Sequence, residues 1–72
     1  MAVTNVSEFA SNIRAARARA DLSQNEVAER IGVNIGTLVR YESGDITPGA
    51  DKIVALAAAL GCTPNDLCGW GR

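Results

Sequence analysis

Apolar positions along this chain recur at helical spacing, and the stretches are separated by glycines and by residues that cap helices. Phe9, Ile13 and Ala16 stand at i, i+4 and i+7 and predict the inward stripe of a first helix. This helix begins near Asn5 to Ser7 and runs to about Ala20. Asn5-x-x-Glu8 and Ser7 compete as its starting signal, and Asp21 ends it. Residues 1 to 4 read as a loose arm. Val27, Ala28 and Ile31 form the stripe of a second helix. Ser23-x-x-Glu26 before it fits a capping box, Leu22 and Val27 fit a hydrophobic staple, and Gly32 supplies the left-handed residue that stops it.

The same device then repeats. Val33 precedes the cap Asn34, Leu38 stands at the staple position, Leu38 and Tyr41 face inward, and Gly44 ends the third helix. Ser43-Gly44-Asp45 leads into a loop with Ile46 as its expected apolar anchor. Thr47-Pro48 or Gly49 opens a fourth helix, with Asp51 suited to its N-terminal dipole. Ile53, Leu56, Ala57 and Leu60 are its buried face, and Gly61 stops it. Thr63 caps a short fifth helix whose first residue is Pro64; Cys62 and Leu67 take its staple positions and Asp66 can reach back toward the cap. The tail Gly69 to Arg72 is too short to be a domain.

Two capped helices joined by Gly32 and Val33 suit a helix-turn-helix, in which the second helix can enter the DNA major groove. Leu22-Ser23-Gln24-x-Glu26-Val27-Ala28-x-x-Ile31-Gly32-Val33, continued by Leu38-x-x-Tyr41-Glu42-x-Gly44 and Pro48, resembles the helix-turn-helix domain of phage repressor and Cro proteins, also called the xenobiotic-response-element family. The resemblance covers roughly residues 6 to 68. It implies an all-α, compact five-helix, lambda-repressor-like DNA-binding domain, one domain over residues 1 to 72 with its helix-turn-helix at 23 to 43.

Composition adjusts this picture. The chain has 72 residues, 47% of them hydrophobic, which is ample for a core and argues against disorder. Only Phe9, Tyr41 and Trp70 are aromatic, so the core volume is mostly Ala, Val, Ile and Leu. A net charge of −1 counts against nucleic-acid binding. The distribution softens this: Arg14, Arg17 and Arg19 crowd the first helix, Arg14 and Arg17 share a face, and Arg40 lies in the reading helix. Few phosphate contacts and a shallow salt dependence are expected. Cys62 and Cys68, with no His, do not support a zinc site. They read as reduced intracellular thiols, with Cys62 a small core residue. The N-terminus shows no signal-peptide pattern and no apolar segment is long enough to span a membrane, so the reading is cytoplasmic.

Individual residues carry the expected chemistry. Gln24, first in the second helix, can hold a phosphate together with the exposed amides beside Ser23; otherwise it is a solvated polar residue. The resemblance implies that this Gln touches the DNA backbone and braces the reading helix. Asn34, Ile35, Gly36, Thr37 and Arg40 form the start and outer face of the third helix, and Ser43 follows at its end. Arg40 can pair bidentately with guanine, or else lies exposed in a loose pair with Glu42 or Glu29. Ile35 can pack on a thymine methyl. Gly36 departs from the family, which usually offers a base-reading side chain there; it costs the helix roughly 1 kcal/mol relative to Ala, or lets the backbone approach DNA closely. Thr37 bonds phosphate or base, or back-bonds to its own helix. The resemblance further implies an ion pair between Arg17 and Glu42 that joins the first helix to the end of the third, orients the reading helix and offers Arg17 to a phosphate; otherwise the two are unrelated surface charges. Asp45 stands where relatives often carry a cation and would repel phosphate.

The resulting expectation is a sequence-specific transcriptional regulator, a repressor acting on double-stranded DNA at an inverted-repeat operator. It would act as a homodimer with Leu67 and Trp70 at the contact, since one small domain touches too little DNA for high specificity. The alternative is an interaction module on the same fold, antitoxin-like or a regulatory subunit, which the acidic balance, Gly36 and Asp45 favour. An enzyme is poorly supported: there is no His, no metal-ligand cluster and no Gly-rich phosphate loop, and no cofactor or small-molecule substrate is implied.

Overall fold

In the computed structural model the backbone is described over residues 6–69 and the side chains over residues 8–69. Among the described residues five helices follow in chain order: α1 (Val6–Ala20), α2 (Gln24–Ile31), α3 (Ile35–Ser43), α4 (Ala50–Leu60) and α5 (Pro64–Cys68). α1 packs against α3, α4 and α5, and α2 packs against α3 and α4. The shared core holds Phe9, Ile13 and Ala16 from α1, Val27, Ala28 and Ile31 from α2, and Leu38 and Tyr41 from α3. Leu56, Ala57 and Leu60 of α4 and Leu67 and Cys68 of α5 complete it. The stripes expected from spacing are therefore the buried faces, with Ile53 only partly buried at the edge of the fourth.

Local chemistry sets the helix boundaries. The Ser23 hydroxyl accepts from the Glu26 N–H at 3.1 Å, and the Glu26 carboxylate accepts from the Ser23 N–H at 2.8 Å, closing the capping box. Thr63 and Asp66 repeat this reciprocal pair at 3.2 and 2.9 Å. The residues just before the three side-chain caps, Leu22, Val33 and Cys62, all pack against the core. Asp21 ends α1 in the left-handed region, φ 57°, a conformation that short polar side chains tolerate. Gly32 ends α2 at φ 74°, where an L side chain would be strained.

Of the openings expected for α4, Gly49 is its cap, without a side-chain bond, and Pro48 is buried just before it. Three expectations are corrected. Ile46 does not anchor the loop: it is exposed, and Pro48 fills that inward role. Cys62 is only half-buried, whereas Cys68 is the cysteine in the core. Leu67 is fully buried and tied into the core, so its side chain is not available to a dimer contact. Trp70 and the N-terminal arm lie outside the described residues. One further tie was not foreseen: the Asn12 amide donates to the Leu67 carbonyl at 2.8 Å, fastening α5 to α1.

Candidate nucleic-acid interface

The third helix divides sharply into two faces. Leu38 and Tyr41 point into the core, while Ile35, Gly36, Val39, Arg40 and Ser43 are exposed and Thr37 is half-buried. At about 100° per residue the exposed set runs Ile35, Val39, Ser43, Gly36, Arg40 across an arc of roughly 140°. The Asn34 carboxamide oxygen caps α3 by accepting from the Gly36 N–H at 2.7 Å. A Cβ added at Gly36 would lie 3.0 Å from that same oxygen, so a side chain there would crowd the cap.

What holds this face in position is a carboxylate inside the protein. Glu42, at the end of α3, is 4% exposed. Arg17 of α1 donates from Nε to its Oε2 at 2.6 Å and from Nη2 to its Oε1 at 3.3 Å. Gln24 of α2 donates to the same Oε1 at 2.9 Å. Arg17 also donates to the Leu22 carbonyl at 3.0 Å, binding the α1–α2 turn into the network. The Arg14 guanidinium donates to the backbone carbonyl of Glu42, satisfying one of the carbonyls left open at a helix C-terminus. Three helices thus meet on one side chain, and the angle between α2 and α3 is set by hydrogen bonds as well as by packing.

This arrangement narrows the alternatives left open above. Gln24 is not a merely solvated residue: its amide is committed to Glu42, at the N-terminus of α2 where Ser23 is exposed beside it. The Arg17–Glu42 pair forms as the resemblance implied, and leaves Arg17 24% exposed. Arg40 pairs with neither Glu42 nor Glu29. Its Nε lies 3.6 Å from the Asp45 carboxylate, with both side chains 64% exposed. Ser43 donates its hydroxyl to the Arg40 carbonyl at 3.1 Å and accepts from the Asp45 N–H at 3.3 Å, so it orders the turn that carries Asp45. An open depression of about 410 Å³ separates the outer face of α2 from the start of α3, lined by Asn25, Ala28, Glu29, Val33 and Ile35.

Sequence reasoning missed two contributors. Arg14 was assigned only to a shared charged face, because its carbonyl partner on α3 is distant in sequence. Val39 was passed over, although its spacing of four from the exposed Ile35 was a sufficient signal. The lowered pKa of Glu26 comes first from the Ser23 backbone N–H and then from the Ser23 hydroxyl, so it reports the cap rather than a reactive site. No helix of the described residues is long and apolar enough to cross a membrane.

Residues 13–67 match the helix-turn-helix family. A cryptic phage CTXphi transcriptional repressor, RstR of Vibrio cholerae, is 42% identical over 59 residues, which are 82% of this chain and 53% of that protein. The chain spans about half the length of the relatives it matches by sequence. Among solved structures, the restriction-modification controller protein C.AhdI from Aeromonas hydrophila superposes with a TM-score of 0.82 at 27% identity, covering 86% of this chain and 94% of that one. The P22 c2 repressor in complex with a synthetic operator gives 0.77 at 27% identity, covering 82% of this chain and 89% of that one. With its capped α2 and α3, its Gln24–Glu42–Arg17 network and these relatives, the chain belongs to the helix-turn-helix family of the phage repressor and Cro type.

Proposed function

We propose that this chain is a sequence-specific, DNA-binding transcriptional regulator, a repressor that occludes a promoter with α3 in the major groove. The observation that carries the proposal is the buried Glu42 network, which holds the exposed face of α3 at a set angle to the N-terminus of α2. A free-standing solvated helix needs no such clamp; a helix that must enter a groove while its neighbour rests on the phosphates does.

The roles follow from position. Ser23 and Gln24 stand at the N-terminus of α2, where free amides and the helix dipole favour a phosphate, and the exposed part of Arg17 lies beside them. Asn34, Ile35, Gly36 and Thr37 occupy the start of α3 and face base edges or the adjoining backbone. Arg40 leaves Asp45 to reach guanine or phosphate, and Ser43 orders the turn behind it. Phosphate contacts position the protein and base contacts specify the site. The P22 c2 repressor, a relative in complex with a synthetic operator, supports double-stranded DNA as the partner. A homodimer on an inverted repeat supplies the contact area that one such unit lacks, and the reaction compartment of such a regulator is the cytoplasm.

A second reading is an interaction module with weak DNA contact. The Arg40–Asp45 pair favours it, because it places an acid beside the one cation of the reading helix. Selection from a random duplex pool, followed by titration at fixed salt of the native protein and Arg40→Ala, separates the two. The regulator reading expects an enriched inverted repeat whose recognition is lost or relaxed in Arg40→Ala. No enrichment, with equal weak binding by both proteins, overturns it in favour of the interaction module.

A further inference from the structure

The reading face of α3 carries more apolar surface than phosphate or guanine recognition requires. Ile35 and Val39 are 38% and 42% exposed and stand one turn apart. Single exposed aliphatic residues are ordinary on a protein surface. Two branched ones stacked on the outer face of a nine-residue helix are a different matter, because the opposite face already supplies the core contacts through Leu38 and Tyr41. Between this apolar edge and Arg40 lie only Ser43 and Gly36, so no bulky side chain stands in the middle of the arc.

We propose that Ile35 and Val39 form a reader of thymine C5-methyl groups, and that Val39 is a specificity-determining residue of the DNA site. This rests on the regulator reading above and names what the α3 face selects. The thymine methyl is the apolar group that base pairs present in the major groove. Two residues four apart on a helix are separated by about 6 Å along its axis, which spans roughly two base-pair steps of the duplex at about 3.4 Å each. The pair therefore fits the methyls of thymines at neighbouring or next-neighbouring positions of a half-site. Gly36 adds no Cβ that would hold the helix away, and its cap bond to Asn34 keeps the first turn of α3 in place during that approach. Arg40, at the other edge of the arc, is left for a guanine or a phosphate outside the thymine pair.

Replacing thymine by deoxyuridine removes the methyl and leaves every hydrogen-bonding group unchanged, so it isolates this contact. The experiment takes the site selected by the native protein, substitutes deoxyuridine for each half-site thymine in turn, and measures affinity at fixed salt for native protein, Val39→Ala and Arg40→Ala. One or two thymines should each lose about fourfold in affinity, the value expected for one buried methyl. At one of them Val39→Ala should show no further loss, while Arg40→Ala keeps the full loss. Thermal unfolding of Val39→Ala is the fold control, since Val39 is exposed and Ala is the better helix former. A selected site that binds equally with deoxyuridine everywhere overturns the methyl reader and leaves the regulator reading standing. Equal deoxyuridine losses in the native protein and Val39→Ala overturn the assignment to Val39, and the absence of any selected site overturns both readings.

Discussion

Removing either partner of the Arg17–Glu42 pair should destabilise the protein, and the two losses should differ in a stated order. The side chains are 24% and 4% exposed respectively, and that asymmetry decides the outcome. Arg17→Met strands the Glu42 carboxylate in the interior with the Gln24 amide, at 2.9 Å, as its remaining side-chain donor. Breaking a buried pair in this way costs about 3–5 kcal/mol, and the surviving Gln24 bond places this case near 3 kcal/mol. Glu42→Gln leaves instead a guanidinium that still reaches the Leu22 carbonyl at 3.0 Å and is partly open to water. Its loss is that of charge-assisted hydrogen bonds partly replaced by a neutral acceptor, about 1.5–2 kcal/mol.

Urea unfolding followed by far-UV circular dichroism measures these differences. A chain of this length has a total stability of roughly 4–10 kcal/mol, so each variant retains a folded baseline. In thermal unfolding the loss near 3 kcal/mol corresponds to a fall in Tm of about 12–24 °C. The double variant Arg17→Met/Glu42→Gln removes both charges and should cost less than the sum of the singles by about 1–2 kcal/mol. A larger cost for Glu42→Gln than for Arg17→Met, or strict additivity of the two, would refute the account of Glu42 as a desolvated carboxylate held by Arg17.

Four further outcomes are expected. Hydrogen bonds from the Ser23 N–H, and then from its hydroxyl, hold the Glu26 carboxyl below the ordinary range; its stabilisation is therefore present above the unfolded pKa and lost as pH falls through the lowered folded value. Urea midpoints measured from neutral to acid pH should fall less steeply in Glu26→Gln than in the native protein. Asp45→Asn frees Arg40 and removes an acid from the reading face, so binding to non-specific duplex should strengthen and the log–log salt slope should steepen by about 1; unchanged binding and slope would show that Asp45 does not restrain Arg40. Asn12→Ala leaves the Leu67 carbonyl without its donor and should cost about 1 kcal/mol, with the amides of α5 exchanging earlier than those of α2. Burial raises the Cys68 thiol, and raises Cys62 with Asp66 adding to the effect, so folded-state stability is complete below the unfolded thiol pKa and is lost as pH rises past it. Melting curves across mildly alkaline pH should show a decline that Cys68→Ala reduces.

The features legible in the sequence are those whose partners lie within one helical turn. Ser23 with Glu26, Thr63 with Asp66, Asn34 as a cap and Gly32 as a left-handed stop depend on local spacing alone, and the structure has each of them. The core faces were legible for the same reason, because a helix places i, i+3 and i+4 together regardless of its neighbours. Features that depend on how helices cross were not legible from spacing, and the Arg17–Glu42 pair was expected only through the family resemblance. Arg14 reaches the Glu42 carbonyl, and Asn12 the Leu67 carbonyl, only because α1 lies against both α3 and α5. Ile46 and Pro48 exchanged roles because hydrophobicity alone does not say which side of a loop faces the core. Arg40 chose Asp45 over Glu29 and Glu42 for two physical reasons: Glu42 is enclosed by other donors, and the Ser43 turn brings Asp45 back to the end of the helix.

The acidic balance of the chain looks opposed to a DNA-binding role until four of its eight acids are placed. Glu42 is buried and held by Arg17 and Gln24, so it contributes structure rather than field. Glu26 and Asp66 are engaged in reciprocal caps at the starts of α2 and α5. Asp45, in the turn after α3, pairs with Arg40, the cation on the exposed face of that helix. The exposed arc of α3 therefore carries an apolar edge at Ile35 and Val39 and one cation, Arg40, loosely paired with Asp45. Non-specific affinity arises almost wholly from phosphate neutralisation, so a face of this kind starts from weak general binding. Apolar and hydrogen-bonding contacts to bases then have to supply a larger share of the affinity than they would in a basic domain. On the proposed function, the restraint of Arg40 by Asp45 lowers binding to the many wrong sites, and it is released where the bases offer Arg40 a better partner. Weak general attraction and discriminating local contact are thus two consequences of the same placement of charge.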